Sequence, residues 1–170
     1  MRTEHHPFEP FVPADMEFLI VGSFPGKEQT QSEMLLEQWF YGAPRNLFWR
    51  IMEGVYDLEL RSQRAKRSLL SSLKIGLTDI ILKAERKLDS NLDGNLHVVE
   101  WNDKAIAKIL HRYPDVKILC TSKFVEKHVK RRFPLHANIW TLPSPSPRYA
   151  RMSVAEKIEV YKNILPKKKG

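Results

Sequence analysis

Cysteine is almost missing from this chain. Cys120 is its only thiol in 170 residues, which excludes an internal disulfide, a cysteine-ligated iron–sulfur cluster and a zinc ribbon. It lies in the apolar run Val116 to Cys120 and reads as a small core residue rather than a nucleophile. The six histidines form no helical pair with a glutamate at metal-ligand spacing, so no metal is expected, and adjacent His5 and His6 read as part of a solvated arm. No apolar run approaches the roughly 20 residues that cross a bilayer. The first residues carry no apolar block of the secretory kind, and no repeat recurs at solenoid spacing. No glycine-rich loop ends in lysine and serine or threonine, which counts against a nucleoside triphosphatase. The expectation left by these absences is a soluble cytoplasmic protein without membrane partner, metal or organic cofactor.

The charge that is present is mainly positive. A net charge of +8 and a pI near 9.6 favour an anionic partner, and nucleic acid is the commonest one for a soluble basic domain. Part of the charge is the tail Lys167-Lys168-Lys169; the rest gathers in Arg61 to Lys74 and Lys123 to Arg132. With 42% hydrophobic residues the chain has material for a single core. The expected organisation is an extended arm over 1–16, one domain over 17–166 and a basic tail over 167–170, acting as a monomer.

The apolar runs organise the rest. Pro7, Pro10 and Pro13 keep the arm extended, with Phe8 and Phe11 docking on the core. Strands are expected at Glu17 to Val21, Ile75 to Leu82, Val116 to Cys120 and Ile139 to Leu142. Helical spacing is found after Asn46, over Arg61 to Leu73, from Asn102 to Tyr113 and over Ser122 to Phe133. The last helix starts at the capping box Ser153-Val154-Ala155-Glu156. Residues 83–94 read as a charged loop. This alternation predicts a three-layer α/β/α sandwich with a central four-stranded parallel sheet, whose ligand crevice lies beyond the carboxyl ends of the strands. Gly22 to Gly26 and Pro143 to Ala150 both leave such ends, so they face each other across one cleft.

Three motifs stand out: Gly22-Ser23-Phe24-Pro25-Gly26, Tyr41-Gly42-Ala43-Pro44-Arg45-Asn46-Leu47-Phe48-Trp49, and Leu142-Pro143-Ser144-Pro145-Ser146-Pro147. In this order on an alternating chain they resemble the uracil-DNA glycosylase superfamily, closest to its hypoxanthine-DNA glycosylase and mismatch-specific uracil/thymine-DNA glycosylase branches. The resemblance implies a monofunctional DNA glycosylase of base excision repair. Such an enzyme flips a deaminated base, hypoxanthine or uracil, out of DNA and hydrolyses its N-glycosidic bond. Double-stranded DNA with a damaged base is the implied partner, with single strands a further possibility, and a bacterial chain would be nucleoid-associated.

By the same resemblance Tyr41 stacks on the flipped base. The usual aspartate or asparagine of the first loop is replaced by Phe24, so Gly22, Ser23, Phe24, Pro25 and Gly26 shape the pocket, and the water-positioning amide moves to Asn46. The alternative for Asn46 is a helix cap. Ser144 either donates to the leaving base or bonds a local backbone amide. Asp79, an acid in an apolar run, either accepts from a base edge or ties a loop. Ser146 and Pro147 pinch phosphates, and Arg148 and Tyr149 enter or flank the gap left by the base, phosphate binding being the simpler reading of Arg148. Leu88 to Asp93 resembles a branch-specific segment. Because of Phe24 and Ser144, a catalytically silent damaged-DNA-binding module is the alternative to the enzyme. A nucleoside hydrolase on a similar sheet is a third reading.

Overall fold

The structure, a computed structural model, describes residues 1–31 and 38–169. In chain order the first elements are β1 (Thr3–His5), β2 (Phe18–Gly22), α1 (Lys27–Thr30), α2 (Phe48–Tyr56), α3 (Gln63–Ser72), β3 (Ile75–Asp79) and β4 (Ile81–Arg86). After a short 3-10 turn, Asp93–Asn95, come β5 (Leu96–Trp101), α4 (Asp103–Arg112), β6 (Lys117–Cys120), α5 (Lys123–Arg132), β7 (Ile139–Thr141) and α6 (Val154–Ile164). The polar segment expected between the first loop and Tyr41 lies partly outside the described residues.

The four apolar runs form a parallel sheet in the order β3-β2-β6-β7. β2 is apolar at successive positions because both of its faces are covered. Ile20 joins Leu77, Leu119 and Leu142 in a core with α2, α3 and α6, while Leu19 and Val21 join Ile118 and Cys120 in a second core with α4 and α5. Helices therefore flank the sheet on both sides, as the alternation predicts. From β2 the chain winds outward to β3, then returns to add β6 on the other side of β2. The strand order reverses there, and a crevice opens beyond the carboxyl ends of β2 and β6.

Several expectations need correction. The single strand expected over Ile75 to Leu82 is two strands, and the charged loop after it is largely sheet. At Ile80 the backbone leaves the parallel sheet: its N–H donates to the Gly22 carbonyl and its carbonyl accepts from the Asn102 N–H, each at 2.8 Å. Then β4 pairs antiparallel with β1 and β5 in a second sheet, β1-β4-β5. The arm is therefore anchored at both ends. β1 is a strand, and further along Phe11 exchanges two backbone hydrogen bonds with Leu77, closing the outer edge of β3. That approach requires Gly76, since a Cβ there would meet the Met16 sulfur at 2.3 Å and the Phe11 carbonyl at 2.8 Å. Nor is His6 solvated: its side chain is only 3% exposed.

The second sheet is organised by a charge. Arg86 and Glu4 are both buried and paired at 3.0 Å. Arg86 also donates to the carbonyls of Pro25 and Ser90 and to Asn91, while Thr30 and Gln31 donate to Glu4. Burial pushes the Glu4 carboxyl up, but the bonds from Arg86, Thr30 and Gln31 outweigh it and hold it below its ordinary value. Removing one partner leaves the other charge buried and unmatched. Glu4→Ala should therefore destabilise the protein by about 3–5 kcal/mol in urea unfolding. Because the folded value is the lower one, this stabilisation is fully present above the ordinary value of 4.5. It should be lost as pH falls through the folded value, and the alanine variant should lack that acid-side loss.

Candidate active site

The cleft beyond the strand ends has a volume of about 1410 Å³ and is lined by all three motif segments. They are joined by backbone. The Leu47 N–H donates to the Pro145 carbonyl at 2.9 Å, tying the middle motif to the proline loop, and the Asn46 N–H closes a turn onto Ala43 at 3.0 Å. Behind the loop, buried Tyr161 donates to the Pro143 carbonyl at 2.8 Å and buried Lys157 to the Ser146 carbonyl at 3.3 Å. Two residues of α6 thus hold the loop from below.

Tyr41 is held in an unusual backbone. Its φ is 59°, a left-handed conformation that costs a non-glycine residue energy and persists only where the surroundings impose it. One face of the ring is stacked on Phe48, with centroids 4.1 Å apart and planes at 24°, and the residue lines the cleft. Its hydroxyl is buried and has no hydrogen-bond partner among the described residues. Burial, reinforced by the charge of Asp79, keeps the phenol well above its ordinary pKa.

Asp79 ends β3 beside that hydroxyl. A Cβ on Gly22 would meet Asp79 Oδ1 at 2.4 Å and the Tyr41 hydroxyl at 2.7 Å, so the two polar groups converge in space that only glycine leaves open. Asp79 Oδ2 lies 2.6 Å from His6 Nε2. A second carboxyl, Asp93, lines the same cleft. Burial and the Asp79 charge push it above its ordinary value against the opposing effects of Ser23 and Arg86. The cleft therefore offers two carboxyl groups, one anchored by a histidine and one whose charged form burial disfavours.

Other expected residues fall as follows. Ser23, Phe24, Pro25 and Gly26 line the cleft, with Phe24 set edge-on to His6 at 6.0 Å and under the Arg86 guanidinium at 5.9 Å. Asn46 also lines it, but the helix cap is Leu47; Asn46 Oδ1 accepts the Phe48 N–H at 2.9 Å from one position earlier. Ser144 accepts the Ser146 N–H and Ser146 the Arg148 N–H, so both hydroxyl oxygens serve the turn. Pro147, Arg148 and Tyr149 are exposed at the rim, and Arg45, Lys123 and Arg151 also present exposed cations there. Sequence reasoning missed His6, Arg86, Asp93 and Lys157. His6, Arg86 and Asp93 owe their places to contacts between distant segments, which no local pattern signals, while Lys157 reaches back from α6 to the preceding proline loop.

Gly22→Ala tests how closely the floor is packed. Asp79 is held on its far side by His6, so the new methyl cannot be accommodated by a simple side-chain swing. The variant should lose about 1–3 kcal/mol in urea unfolding.

Comparison with known proteins gives the family and the fold. The profile of the uracil DNA glycosylase superfamily matches residues 9–165. The chain is similar to a hypoxanthine DNA glycosylase of Methanosarcina barkeri (strain Fusaro / DSM 804), 30% identical over 114 residues. That match spans 66% of each chain, just under two thirds. The fold is similar to a solution NMR structure from Methanosarcina acetivorans, assigned provisionally as a uracil DNA glycosylase. Its TM-score is 0.71 at 20% identity, covering 96% of this chain and 99% of that one. With a profile match over nearly the whole chain and the motif segments gathered in one cleft, this protein belongs to the uracil DNA glycosylase superfamily.

Proposed function

We propose that the protein is a monofunctional DNA glycosylase that flips a deaminated base, hypoxanthine or uracil, into the cleft and hydrolyses its N-glycosidic bond. The observation that carries this reading is the convergence of Tyr41, Asp79 and Asn46 at the lining of one cleft. The free face of Tyr41 stacks on the base, Phe48 backing it from behind. Hypoxanthine, uracil and xanthine share a lactam edge, a carbonyl beside an N–H. Asp79 is placed to accept the N–H, and Asp93 lines the same cleft within reach of the base edge.

Bond cleavage makes the sugar cationic and the departing base anionic, so water must be placed and the base must be offered donors. Asn46 orients the water through its amide, and the Ser144 hydroxyl donates toward the base or the flanking phosphate. Exposed Arg45, Lys123, Arg148 and Arg151 bind phosphates around the mouth. Arg148 and Tyr149 sit where the gap in the duplex is filled. Duplex DNA is the substrate, bound by a cytoplasmic monomer. Lys27, the lysine of the motif loops, is paired with Asp89 at 2.6 Å, which supports hydrolysis over Schiff-base lyase chemistry.

One observation favours a catalytically silent damaged-DNA-binding module instead. Phe24 offers no polar atom, and the Asn46 and Ser144 side-chain oxygens each already accept a backbone N–H. Duplexes carrying hypoxanthine, uracil or xanthine, scored for alkali-labile sites, separate the two readings. The enzyme should release at least one of these bases, and Asn46→Ala should slow release by about 100-fold with binding intact. Lesion-dependent binding without release at stoichiometric protein would establish the silent module.

A further inference from the structure

The N-terminal arm reaches the cleft floor through one side chain. His6 follows β1 directly, and its own N–H is fixed to the Leu82 carbonyl at 2.8 Å. The ring is 3% exposed and packed among Phe8, Phe24 and Phe40, with centroids 5.8, 6.0 and 5.5 Å away. Nδ1 lies 3.1 Å from the Phe8 N–H and 3.0 Å from the Phe8 carbonyl. A neutral ring accepts the N–H there, and an imidazolium donates to the carbonyl. In both forms Nε2 carries the hydrogen aimed at Asp79 Oδ2, 2.6 Å away.

We propose that His6 is a positioning residue for base recognition: it holds Asp79 Oδ2 and thereby leaves Oδ1 to accept the N–H of a flipped lactam base. This rests on the glycosylase reading above. Oδ1 accepts no hydrogen bond among the described residues, and it stands over the space left by Gly22, beside the buried Tyr41 hydroxyl. A buried carboxylate with neither oxygen anchored can rotate or take up a proton, and either change removes the acceptor that a lactam N–H requires. With Oδ2 fixed by a ring that three phenylalanines lock, the free oxygen has one direction left. The arm is then a part of the specificity pocket, and His6 acts on the base through Asp79.

The test measures single-turnover base release from a lactam-containing duplex by the full chain and by His6→Ala, His6→Gln, Asp79→Asn and the His6→Ala/Asp79→Asn double variant, with thermal unfolding as the check on folding. His6→Ala should slow release about 10- to 100-fold. His6→Gln, which keeps an N–H donor, should recover most of that loss. The double variant should be no slower than Asp79→Asn alone, since His6 has no function once its partner is changed. If His6→Ala fails to fold, His6→Phe keeps the aromatic packing, removes both nitrogens and carries the same comparison. A folded His6 variant with the wild-type rate, or losses that multiply in the double variant, overturns the inference alone. A wild-type chain that releases no base overturns the glycosylase reading and this inference with it.

Discussion

A buried guanidinium must find acceptors for its N–H groups, and where Arg86 finds them decides how one wall of the cleft is built. Its partners are Glu4 from β1, the Pro25 carbonyl from the first motif, and Ser90 and Asn91 from the segment after β4. The three segments that supply them are far apart in sequence, yet all must meet at one cation for the charge to be tolerated inside the protein. The cost of leaving any of those N–H groups unmatched is what ties the arm, the first loop and the 88–93 segment into one body. Phe24 fits the same logic. Lying between the guanidinium and the His6 ring, it supplies an apolar face to both, so the first motif serves here as wall more than as catalyst.

The opposite wall depends on backbone. The bond from Leu47 to the Pro145 carbonyl, with the supports from Tyr161 and Lys157, brings the proline loop against the segment that carries Tyr41 and Asn46. Between the two walls lies Gly22, whose missing side chain is the space in which Asp79 and Tyr41 meet. Burial here acts in opposite senses. It keeps the Tyr41 phenol protonated and moves the Asp93 carboxyl above its ordinary value, while Asp79 is provided with a hydrogen-bond donor. An anchored acceptor beside a phenol donor suits a lactam edge.

The parallel sheet was legible because β2, β3 and β6 are short, mainly apolar runs buried on both faces, and Ile139 to Leu142 is a fourth mainly apolar run at the edge, with Trp140 half exposed. The capping box at Ser153 was legible for a local reason too. The second sheet was not. Lys83, Glu85 and Arg86 in β4 read as loop, and the register slips between Ile81 and Ala84 break any alternation. Burial of Arg86 is made possible by Glu4, 82 positions away, and local pattern cannot show such a pairing. In β5 the alternating Leu96 and Val98 were a usable signal, obscured by Val99 on the exposed face. At the site, the three motifs marked the loops and most of the lining residues. His6 was misread as solvated because nothing in the arm's composition indicates that it meets Asp79, and Asp93 was not singled out because its neighbour Ser23 lies in a distant motif.

In the proposed function a lactam base, flipped from DNA, lies against Tyr41 with its N–H toward Asp79. A crystal structure of the protein bound to a duplex carrying 2′-fluoro-2′-deoxyinosine, in which the glycosidic bond resists hydrolysis, would show this arrangement directly. An extrahelical hypoxanthine stacked on Tyr41, its N1–H within hydrogen-bond distance of Asp79 Oδ1, is expected. A hypoxanthine that stays in the helix, or that lies in the cleft with its N1–H directed away from Asp79, would contradict it.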